Sequence, residues 1–468
     1  MSYHRIGLFL GLLFMVAILV APAPATFTPQ AAAALALVVL MAVWWATQAI
    51  PLAATALIPI IYNPLANILS LNDTIKAYAH PVIYLLVGGA LVAKAIQKCD
   101  LHKRFALTLL SYSPPNPQAI VLTLMVTVAS LSMVISNTAA TAMLLPIAMH
   151  IIVLVQGNAN PSPFATSVIL GLAYAASIGG TATLIGTPPN AIAAAYLAQN
   201  HDIHISFAHW LAFGLPLACI LIPIAWLSLT RLSFPTNLKA NANTRDAIKK
   251  ERHNLGAMTT TQKQTFIVFV CLVSLWLTRP LLNTYPPLAG LSDAAIALLA
   301  ALALFIMPTP NKKPLLDSQD LRTIPWDILL LFGGGLCLAT TMNASGIIES
   351  LTHLFAHIDT TPLPLLIVLC VSATILLTEL NSNTATIATF TPIFAALAAA
   401  TNHSPLALII PATIAASCAF MLPIATPPNA VAYASDKITL PHMMKAGILL
   451  NILATLIITI AASLIFAT

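Results

Sequence analysis

Long apolar runs separated by short polar loops recur along the whole chain and restrict it to a membrane-embedded fold. A helix that spans a bilayer needs about 20 consecutive apolar residues, and several runs approach that length. Only 7% of the 468 residues are charged, whereas a soluble domain carries about 25% and needs them to cover its surface. The sequence therefore predicts an all-α polytopic membrane protein.

The apolar runs divide into eleven spans and two longer segments. The predicted spans are 5–23, 31–49, 52–70, 78–98, 164–200, 208–230, 264–283, 288–307, 323–345, 404–436 and 441–466. The longer segments, 117–156 and 362–402, are each interrupted near the centre by Ser-Asn-Thr. We interpret them as re-entrant hairpins that enter and leave the membrane on the same side.

The distribution of basic residues tests this topology, because cytoplasmic loops are enriched in Lys and Arg. With a cytoplasmic N-terminus, the alternation of spans places all of the 19 Lys and Arg residues inside except Lys76 and Arg279. The same bias explains the net charge of +6 without a nucleic-acid partner. The compact loops and the lack of an organellar targeting signal lead us to expect a multi-pass protein of a bacterial inner membrane. Residues 1–25 also resemble a cleaved secretory signal, and cleavage would leave the remaining topology unchanged.

Related motifs occur in the same order in both halves of the chain. Residues 136–147 read SNTAATAMLLPI and residues 382–393 read SNTATIATFTPI, with seven of twelve positions identical. Downstream, GTPPNA at 186–191 is matched by ATPPNA at 425–430, and this shared order argues against coincidence in a low-complexity chain. Five spans separate corresponding elements, so the second half is inverted relative to the first. Inverted repeats with interrupted helices mark secondary transporters with a midplane site.

Both motifs are typical of helix N-termini. Ser, Asn and Thr are preferred capping residues and Pro fits the first helical position, so helices are predicted at 139–156, at 385–400 and after each Thr-Pro. Helix N-termini bind carboxylates, whereas the carbonyl ends of broken helices suit Na⁺. No Lys or Arg lies within the four motifs. Since burying an uncompensated dianion is costly, we expect Na⁺ to bind with the substrate.

These motifs, with Thr378-Glu379 before the second Ser-Asn-Thr and the run from Ser417 to Asn429, resemble the divalent anion/sodium symporter family over nearly the whole chain. The resemblance implies a homodimer in which transport domains move like elevators against a static scaffold. The expected domains are a scaffold of helices 1–4 at 1–104 and helices 7–9 at 264–358, a transport domain at 105–230 and 359–468, and a basic cytoplasmic linker at 231–263.

The same resemblance implies two Na⁺ sites and one substrate site, with Na⁺ as the coupling ion and no organic cofactor. The Na⁺ ligands would be Ser132, Ser136, Asn137 and the carbonyl of Gly186 in one site, and Thr378, Asn381, Asn383 and the carbonyl of Ala425 in the other. The substrate would meet Asn137, Thr138, Thr187, Pro188, Asn383, Thr384, Thr426 and Pro427. Asn381 departs from the family, in which a small residue is usual at this position.

These expectations describe a Na⁺-coupled symporter of a dianionic C4-dicarboxylate such as succinate, malate or fumarate. Symport of sulfate or citrate is the nearest alternative. Na⁺-independent exchange is another, although an exchanger is expected to have a basic residue near the motifs. A channel would share the dipole-lined site, but channels conduct without saturation or a specific counter-ion. An enzyme is not expected, because no GxSxG, HExxH or paired intramembrane acids occur.

Two further features leave alternatives open. Glu379 is an acid within an apolar run, which marks it as a candidate proton carrier. The first repeat has Met133 at the equivalent position, so an anchor beside the second hairpin is favoured. Membrane lipid is the remaining expected partner, and contact between the basic linker and anionic lipid stays open.

Overall fold

The computed structural model describes residues 3–22, 27–114, 116–156, 162–235, 249–310, 313–355 and 361–466. Within these ranges the regular structure is helical, and the β pairing is limited to an isolated bridge between Pro308 and Pro314. Ten described helices are long and apolar enough to cross a membrane, and shorter apolar helices accompany them. The predicted all-α membrane protein is confirmed, while residues 236–248 of the predicted linker lie outside the described ranges.

The helices are numbered in chain order. They are α1 (Tyr3–Val20), α2 (Pro29–Thr47), α3 (Leu52–Thr55), α4 (Ile58–Leu65), α5 (Leu71–Lys76), α6 (Pro81–Lys98), α7 (Leu101–Ser111), α8 (Pro117–Ser132), α9 (Asn137–Gln156), α10 (Pro163–Thr181), α11 (Pro188–His201), α12 (Phe207–Leu227), α13 (249–254), α14 (Thr260–Leu282), α15 (Asp293–Ile306), α16 (Ser318–Arg322), α17 (Trp326–Ala344), α18 (Ile347–Phe355), α19 (Leu363–Leu380), α20 (Asn383–Ala400), α21 (Pro405–Ala416), α22 (Pro427–Tyr433) and α23 (Leu440–Phe466). A π-helical turn, Ser228–Ser233, follows α12.

The predicted span 52–70 is wrong as a continuous helix. It consists of the short helices α3 and α4, and Asn67 beyond them has a left-handed φ of 54°. Proline explains the interruption, because Pro51, Pro59 and Pro64 have no backbone N–H to donate. Buried Asn63 of α4 instead donates from Nδ2 to Oγ1 of Thr341 in α17 at 2.9 Å, so a tertiary contact holds the irregular segment.

The two predicted hairpins and the two interrupted spans have the same plan in both halves. The hairpin helices are α8 and α9 in the first half and α19 and α20 in the second. The predicted span 164–200 is split into α10 and α11 by residues 182–187, and the span 404–436 is split into α21 and α22 by residues 417–426. The second helix of each hairpin begins two residues before its predicted start, α9 at Asn137 and α20 at Asn383.

The two halves pack across each other. Helix α22 of the second half packs against α9 and α10 of the first, and α11 of the first half packs against α20 and α21 of the second. Each helix that follows a Thr-Pro-Pro-Asn motif therefore contacts the hairpin helix that begins at the other half's Ser-Asn-Thr. This crossed packing brings together the helices that begin at the repeated motifs of the two halves.

Candidate functional site

The tip of the first hairpin contains a compact group of oxygen atoms. Ser132 is the last residue of α8 and is fully buried. Its Oγ lies 2.6 Å from Oδ1 of Asn137 and 2.7 Å from the carbonyl oxygen of Ala176 in α10. A hydroxyl has one proton to donate, so three oxygens share a single proton. Hydroxyl, amide and carbonyl oxygens are the groups that coordinate Na⁺ at interrupted helices.

The second hairpin repeats this geometry. Oγ1 of Thr378, which is also fully buried, lies 2.6 Å from Oδ1 of Asn383 and 2.8 Å from the carbonyl oxygen of Ala416 at the end of α21. The two hydroxyl residues and the two asparagines stand at equal separations in the sequence. The duplicated motif therefore folds into a duplicated cluster, as the predicted repeat requires.

Each interrupted helix is closed by the asparagine of its Thr-Pro-Pro-Asn motif. Nδ2 of Asn190 donates to the carbonyl oxygens of Gly180 at 3.0 Å and Thr183 at 2.8 Å. Nδ2 of Asn429 donates to those of Ala419 at 2.9 Å and Leu422 at 3.0 Å. Both asparagines are fully buried. Neither asparagine was predicted as a site residue, although the place of each in a repeated motif was the available signal.

The predicted helix starts after the two interruptions are confirmed. Thr187 and Thr426 are the N-cap residues of α11 and α22, each followed by Pro at the first helical position. The hydroxyl of Thr426 accepts a hydrogen bond from the backbone N–H of Asn429 at 3.3 Å, whereas the hydroxyl of Thr187 makes no such bond. The first interruption therefore leaves a buried threonine hydroxyl beside a helix N-terminus.

The predicted substrate residues differ in accessibility. Thr187, Thr384 and Thr426 are buried, Asn137, Thr138, Pro188 and Asn383 are half-buried, and Pro427 is exposed. Within the described residues, Nδ2 of Asn137 and Nδ2 of Asn383 donate to no protein acceptor, because only their Oδ1 atoms are engaged. Each hairpin tip thus retains amide N–H groups that can donate to a carboxylate.

The residues predicted for the first Na⁺ site are brought together unevenly. Gly180 approaches the amide of Asn137 so closely that a Cβ on it would lie 2.5 Å from Oδ1. Gly186 packs in turn on Gly180, with its added Cβ 2.5 Å from the Gly180 carbonyl oxygen. Ser136 is exposed, and its Oγ accepts the backbone N–H of Ala139 at 3.3 Å. Ser132, Asn137 and Gly186 therefore share one neighbourhood with Ser136 at its edge.

The second predicted Na⁺ site is less complete in side-chain contacts. Thr378 and Asn383 are hydrogen-bonded, but Oδ1 of Asn381 accepts the backbone N–H of the adjacent Ser382 at 2.8 Å. This bond turns the Asn381 amide onto its own chain. Ala425 is buried in the loop of the second interruption, where its N–H donates to the carbonyl oxygen of Leu422 at 3.2 Å.

Glu379 fastens the second interruption to the second hairpin. Its Oε1 accepts the backbone N–H groups of Phe420 at 2.7 Å and Met421 at 2.9 Å, and its Oε2 accepts that of Leu422 at 3.1 Å. Asn451 of α23 donates a further bond to Oε1 at 2.7 Å. These are the contacts of an anchor. Asn451 was not predicted as a functional residue, although an amide within the apolar run 441–466 was a signal for it.

The equivalent contact in the first half uses neutral groups. Oγ1 of Thr183 donates to the carbonyl oxygen of Met133 at 2.5 Å. Met133 corresponds to Glu379 in the hairpin repeat, and Thr183 corresponds to Leu422 in the interrupted helix. Both hairpins are therefore tied to the interruption of their own half, by a hydroxyl in one case and by a carboxylate in the other.

The chain is similar to known proteins over nearly its whole length. The family model of the sodium:sulfate symporter transmembrane region matches residues 3–467. The sodium-dependent dicarboxylate transporter SdcS of Staphylococcus saprophyticus is 36% identical over 467 residues, covering 97% of this chain and 90% of that protein. SdcS of Staphylococcus aureus strain USA300 is 37% identical over 464 residues, with 97% and 89% covered.

A solved structure extends the likeness to the fold. The crystal structure of the Alcanivorax borkumensis YdaH transporter superposes with a TM-score of 0.57 at 16% identity, covering 84% of this chain and 86% of that one. At this identity the match shows a shared fold. The family match over nearly the whole length and the identity with SdcS show that the chain belongs to the sodium:sulfate symporter family, the divalent anion/sodium symporters that its motifs resemble.

Proposed function

We propose that this protein is a secondary active transporter that couples the symport of a C4-dicarboxylate, such as succinate, malate or fumarate, to the Na⁺ gradient. The duplicated cluster of Ser132 with Asn137 and of Thr378 with Asn383 carries the proposal, since it provides two equivalent oxygen-rich groups at hairpin tips. The relatives named as sodium-dependent dicarboxylate transporters support it. Such relatives transport rather than transform their substrate.

Substrate recognition follows from what the two clusters leave available. The Oδ1 atoms of Asn137 and Asn383 face the hydroxyls, so their Nδ2 groups can donate to one carboxylate each. Thr138, Thr384 and the helix N-termini after Thr187 and Thr426 would add donors and partial positive charge. Pro188 and Pro427 would pack beside the carboxylates. Two carboxylates would thus meet two symmetric halves of one site.

Sodium binding would complete the charge balance. The first ion would be held by Ser132, Ser136, Asn137 and the Gly186 carbonyl. The second would be held by Thr378, Asn383 and the Ala425 carbonyl, with Asn381 contributing its backbone oxygen because its side chain is engaged. Positive charge beside the substrate lowers the cost of moving a dianion out of water. This requirement is the physical reason for obligatory coupling.

The transport cycle we propose is an elevator movement within a homodimer of the bacterial inner membrane, with the N-terminus in the cytoplasm. Residues 105–230 and 359–468 would form the moving unit and residues 1–104 and 264–358 the scaffold. The crossed packing of α11 and α22 supports movement of the two halves as one body. The positive-inside distribution of Lys and Arg supports the orientation.

Uptake of labelled succinate into proteoliposomes with Na⁺, K⁺ or choline outside tests this proposal. We expect saturable, Na⁺-dependent uptake that is lost in Asn137→Ala and Asn383→Ala. Asn116→Ala is the matched control, because this exposed asparagine precedes α8, about 24 Å along the helix from Ser132, and its side chain accepts a bond from the N–H of Gln118. Its uptake should equal that of the wild type.

Other outcomes would redirect the assignment. Protein that takes up no succinate but is stabilised by Na⁺ against heating would retain the cation sites and shift the substrate to sulfate or citrate. Sulfate has its own support in the name of the matching family model. Uptake that ignores Na⁺ but is stimulated by internal succinate would identify an exchanger and overturn both Na⁺ sites.

A further inference from the structure

An apolar cavity of about 300 Å³ lies between α7, α14 and the end of α8. Phe105, Leu131, Val134, Phe266 and Phe269 are among its lining residues. A cavity needs only about 10–15 Å³ to admit one water, but the water also needs two or more polar partners. The lining offers few such partners, so this cavity suits an apolar occupant.

A second cavity, of about 730 Å³, adjoins the first and has the opposite character. It is lined by Ser111, Tyr112, Lys249, Arg252 and His253, together with Gly256 and Ala257. Arg104 of α7 lines both cavities. An apolar chamber and a basic chamber therefore meet at one arginine side chain.

Arg104 binds its neighbours only through neutral oxygens. Its Nε donates to Oε1 of Gln262 at 3.1 Å, its Nη1 to the carbonyl oxygen of Gly256 at 2.9 Å, and its Nη2 to those of Leu255 at 2.9 Å and Ala257 at 3.2 Å. These bonds fix the guanidinium between the cavities without neutralising its charge.

The other basic residues of this chamber are also uncompensated. Nη1 of Arg252 donates to Oγ of Ser111 at 3.1 Å, and its guanidinium carbon lies 5.7 Å from the centre of the Tyr112 ring. Among the described residues, no carboxylate lies within 4.0 Å of a charged nitrogen of Arg104, Lys249 or Arg252. The chamber therefore carries net positive charge that an anion can balance.

Nearby basic residues on the same face behave differently. Lys98 pairs with Asp320 at 2.8 Å, and Lys103 pairs with Asp100 at 2.8 Å. His102 lines the apolar cavity, where burial lowers the pKa of its imidazole and favours the neutral form at pH 7. Arg104, Lys249 and Arg252 differ from these two lysines in having no carboxylate partner among the described residues.

We propose that these two cavities form a binding site for an anionic phospholipid. The acyl chain would occupy the apolar cavity, and the phosphate would bind the side chains of Lys249 and Arg252 and the unneutralised guanidinium of Arg104. The positive-inside bias predicts that this face is cytoplasmic, and the cytoplasmic leaflet is where anionic lipids attract basic segments. A zwitterionic lipid would fit the apolar cavity but would not balance the charge.

The position of the cavity relates it to the candidate transport site. Leu131 and Val134 lie on either side of Ser132 in the sequence and line the cavity at the tip of the first hairpin. Arg104 and the carbonyls of residues 255–257 connect the other wall to the segment before α14. A bound acyl chain would therefore contact the hairpin and the segment linking the two halves at the same time.

Lipid binding to the purified full-length protein tests this proposal independently of transport. We would add phosphatidylglycerol, phosphatidylcholine with the same acyl chains, or inorganic phosphate, and measure bound lipid by native mass spectrometry and the unfolding midpoint by thermal shift. We expect phosphatidylglycerol to bind and stabilise, phosphatidylcholine to do so less, and phosphate alone to have no effect. Replacement of both Lys249 and Arg252 by Gln should weaken phosphatidylglycerol binding about thirtyfold, because each basic residue raises the affinity for an anionic lipid about fivefold.

The variants separate this site from general attraction to a basic surface. Lys250→Gln is the matched control, because it removes the same charge from the next residue, which lines neither cavity. Thr108→Phe should fill the apolar cavity from α7 and weaken lipid binding while the basic residues remain. If Arg252→Gln fails to fold, Lys249→Gln and Thr108→Phe decide the question.

Equal binding of the two lipids would overturn the proposal. Stabilisation by phosphate equal to that by phosphatidylglycerol would also overturn it and would identify a site for a soluble anion. Equal losses of phosphatidylglycerol binding in Lys249→Gln and Lys250→Gln would overturn it as well.

Discussion

Asn451 of α23 donates a hydrogen bond of 2.7 Å to Oε1 of Glu379 in α19. The carboxylate is only 5% exposed and also accepts three consecutive backbone N–H groups of residues 420–422. A carboxylate that only accepts is suited to four converging donors. The pair therefore holds the second hairpin, the second interruption and the last helix together at one point.

Replacement of Asn451 by Ala should destabilise the protein through Glu379. Loss of a hydrogen bond to a charged group costs about 1.5–3 kcal/mol of unfolding free energy. The midpoint of thermal unfolding in detergent would measure the loss. Thr455→Ala is the control one turn later, because its hydroxyl bonds only to the Asn451 carbonyl oxygen. Equal effects of the two variants would contradict a special role for the contact with Glu379.

Replacement of Glu379 by Gln distinguishes the anchor from the proton carrier. A glutamine has one amide group that donates, so at least one of the four N–H donors would face another donor. We therefore expect uptake to fall by a similar factor at every pH. A proton carrier would instead change the shape of the pH profile of uptake. Unchanged uptake at every pH would remove both roles.

The sequence predicted the repeated elements well because their signals are local. Proline after threonine marked the starts of α11 and α22, and Ser-Asn-Thr marked the hairpin tips. The span 52–70 is not one continuous helix because Pro51, Pro59 and Pro64 lie in it, and hydropathy does not register their missing N–H groups. The contact from Asn63 to Thr341 that holds this segment joins residues far apart in the chain and has no local signal.

Contacts between distant residues also explain what the sequence left out of the site. The bonds of Asn190 and Asn429 depend on loop shape, and that of Asn451 depends on how α23 packs. The docking of residues 255–257 on Arg104 was likewise hidden, since backbone carbonyls leave no mark in a sequence. Local motifs identified the parts of the site, and tertiary packing decided which atoms meet.

Replacement of Asn190 or Asn429 by Ala should affect the two halves about equally. Each variant removes the side-chain donor of one carbonyl oxygen, that of Gly180 or Ala419, while the second carbonyl, that of Thr183 or Leu422, keeps a backbone donor. An unsatisfied buried group costs about 1–3 kcal/mol. The midpoint of thermal unfolding should fall by a similar amount in both variants, and added Na⁺ should raise that midpoint less than in the wild type. The control is Asn200→Ala, which removes a bond to the Tyr196 carbonyl and one from Nδ2 of Asn343 in α17 but leaves both interruptions intact. A large effect in only one half would contradict the equivalence of the two interruptions.

Two glycines allow helices to approach the interruptions. A Cβ on Gly447 of α23 would lie 2.5 Å from the carbonyl carbon of Phe420, and one on Gly214 of α12 would lie 2.8 Å from the carbonyl oxygen of Thr181. Because backbone atoms cannot move aside easily, Gly447→Ala and Gly214→Ala should each lower the unfolding free energy by about 1–3 kcal/mol. Gly290→Ala is the control, since its Cβ would meet nothing within 4 Å. Equal stability of the three variants would contradict this close packing.

The hydroxyl of Thr378 provides the most direct test of the proposed Na⁺ site. Thr378→Val keeps the shape of the side chain but removes the oxygen that lies 2.6 Å from Oδ1 of Asn383. Since an interaction with a charged group contributes about 1.5–3 kcal/mol, the Na⁺ concentration for half-maximal uptake should rise at least about tenfold. Thr378→Ser should restore most of the affinity, because Ser132 performs the same role in the first half. Thr374→Val is the control one turn earlier, because it removes a buried hydroxyl that bonds only to the Cys370 carbonyl, and it should leave Na⁺ activation unchanged. Equal losses of Na⁺ affinity in Thr374→Val and Thr378→Val would mean that the Thr378 hydroxyl matters for folding and not for the ion.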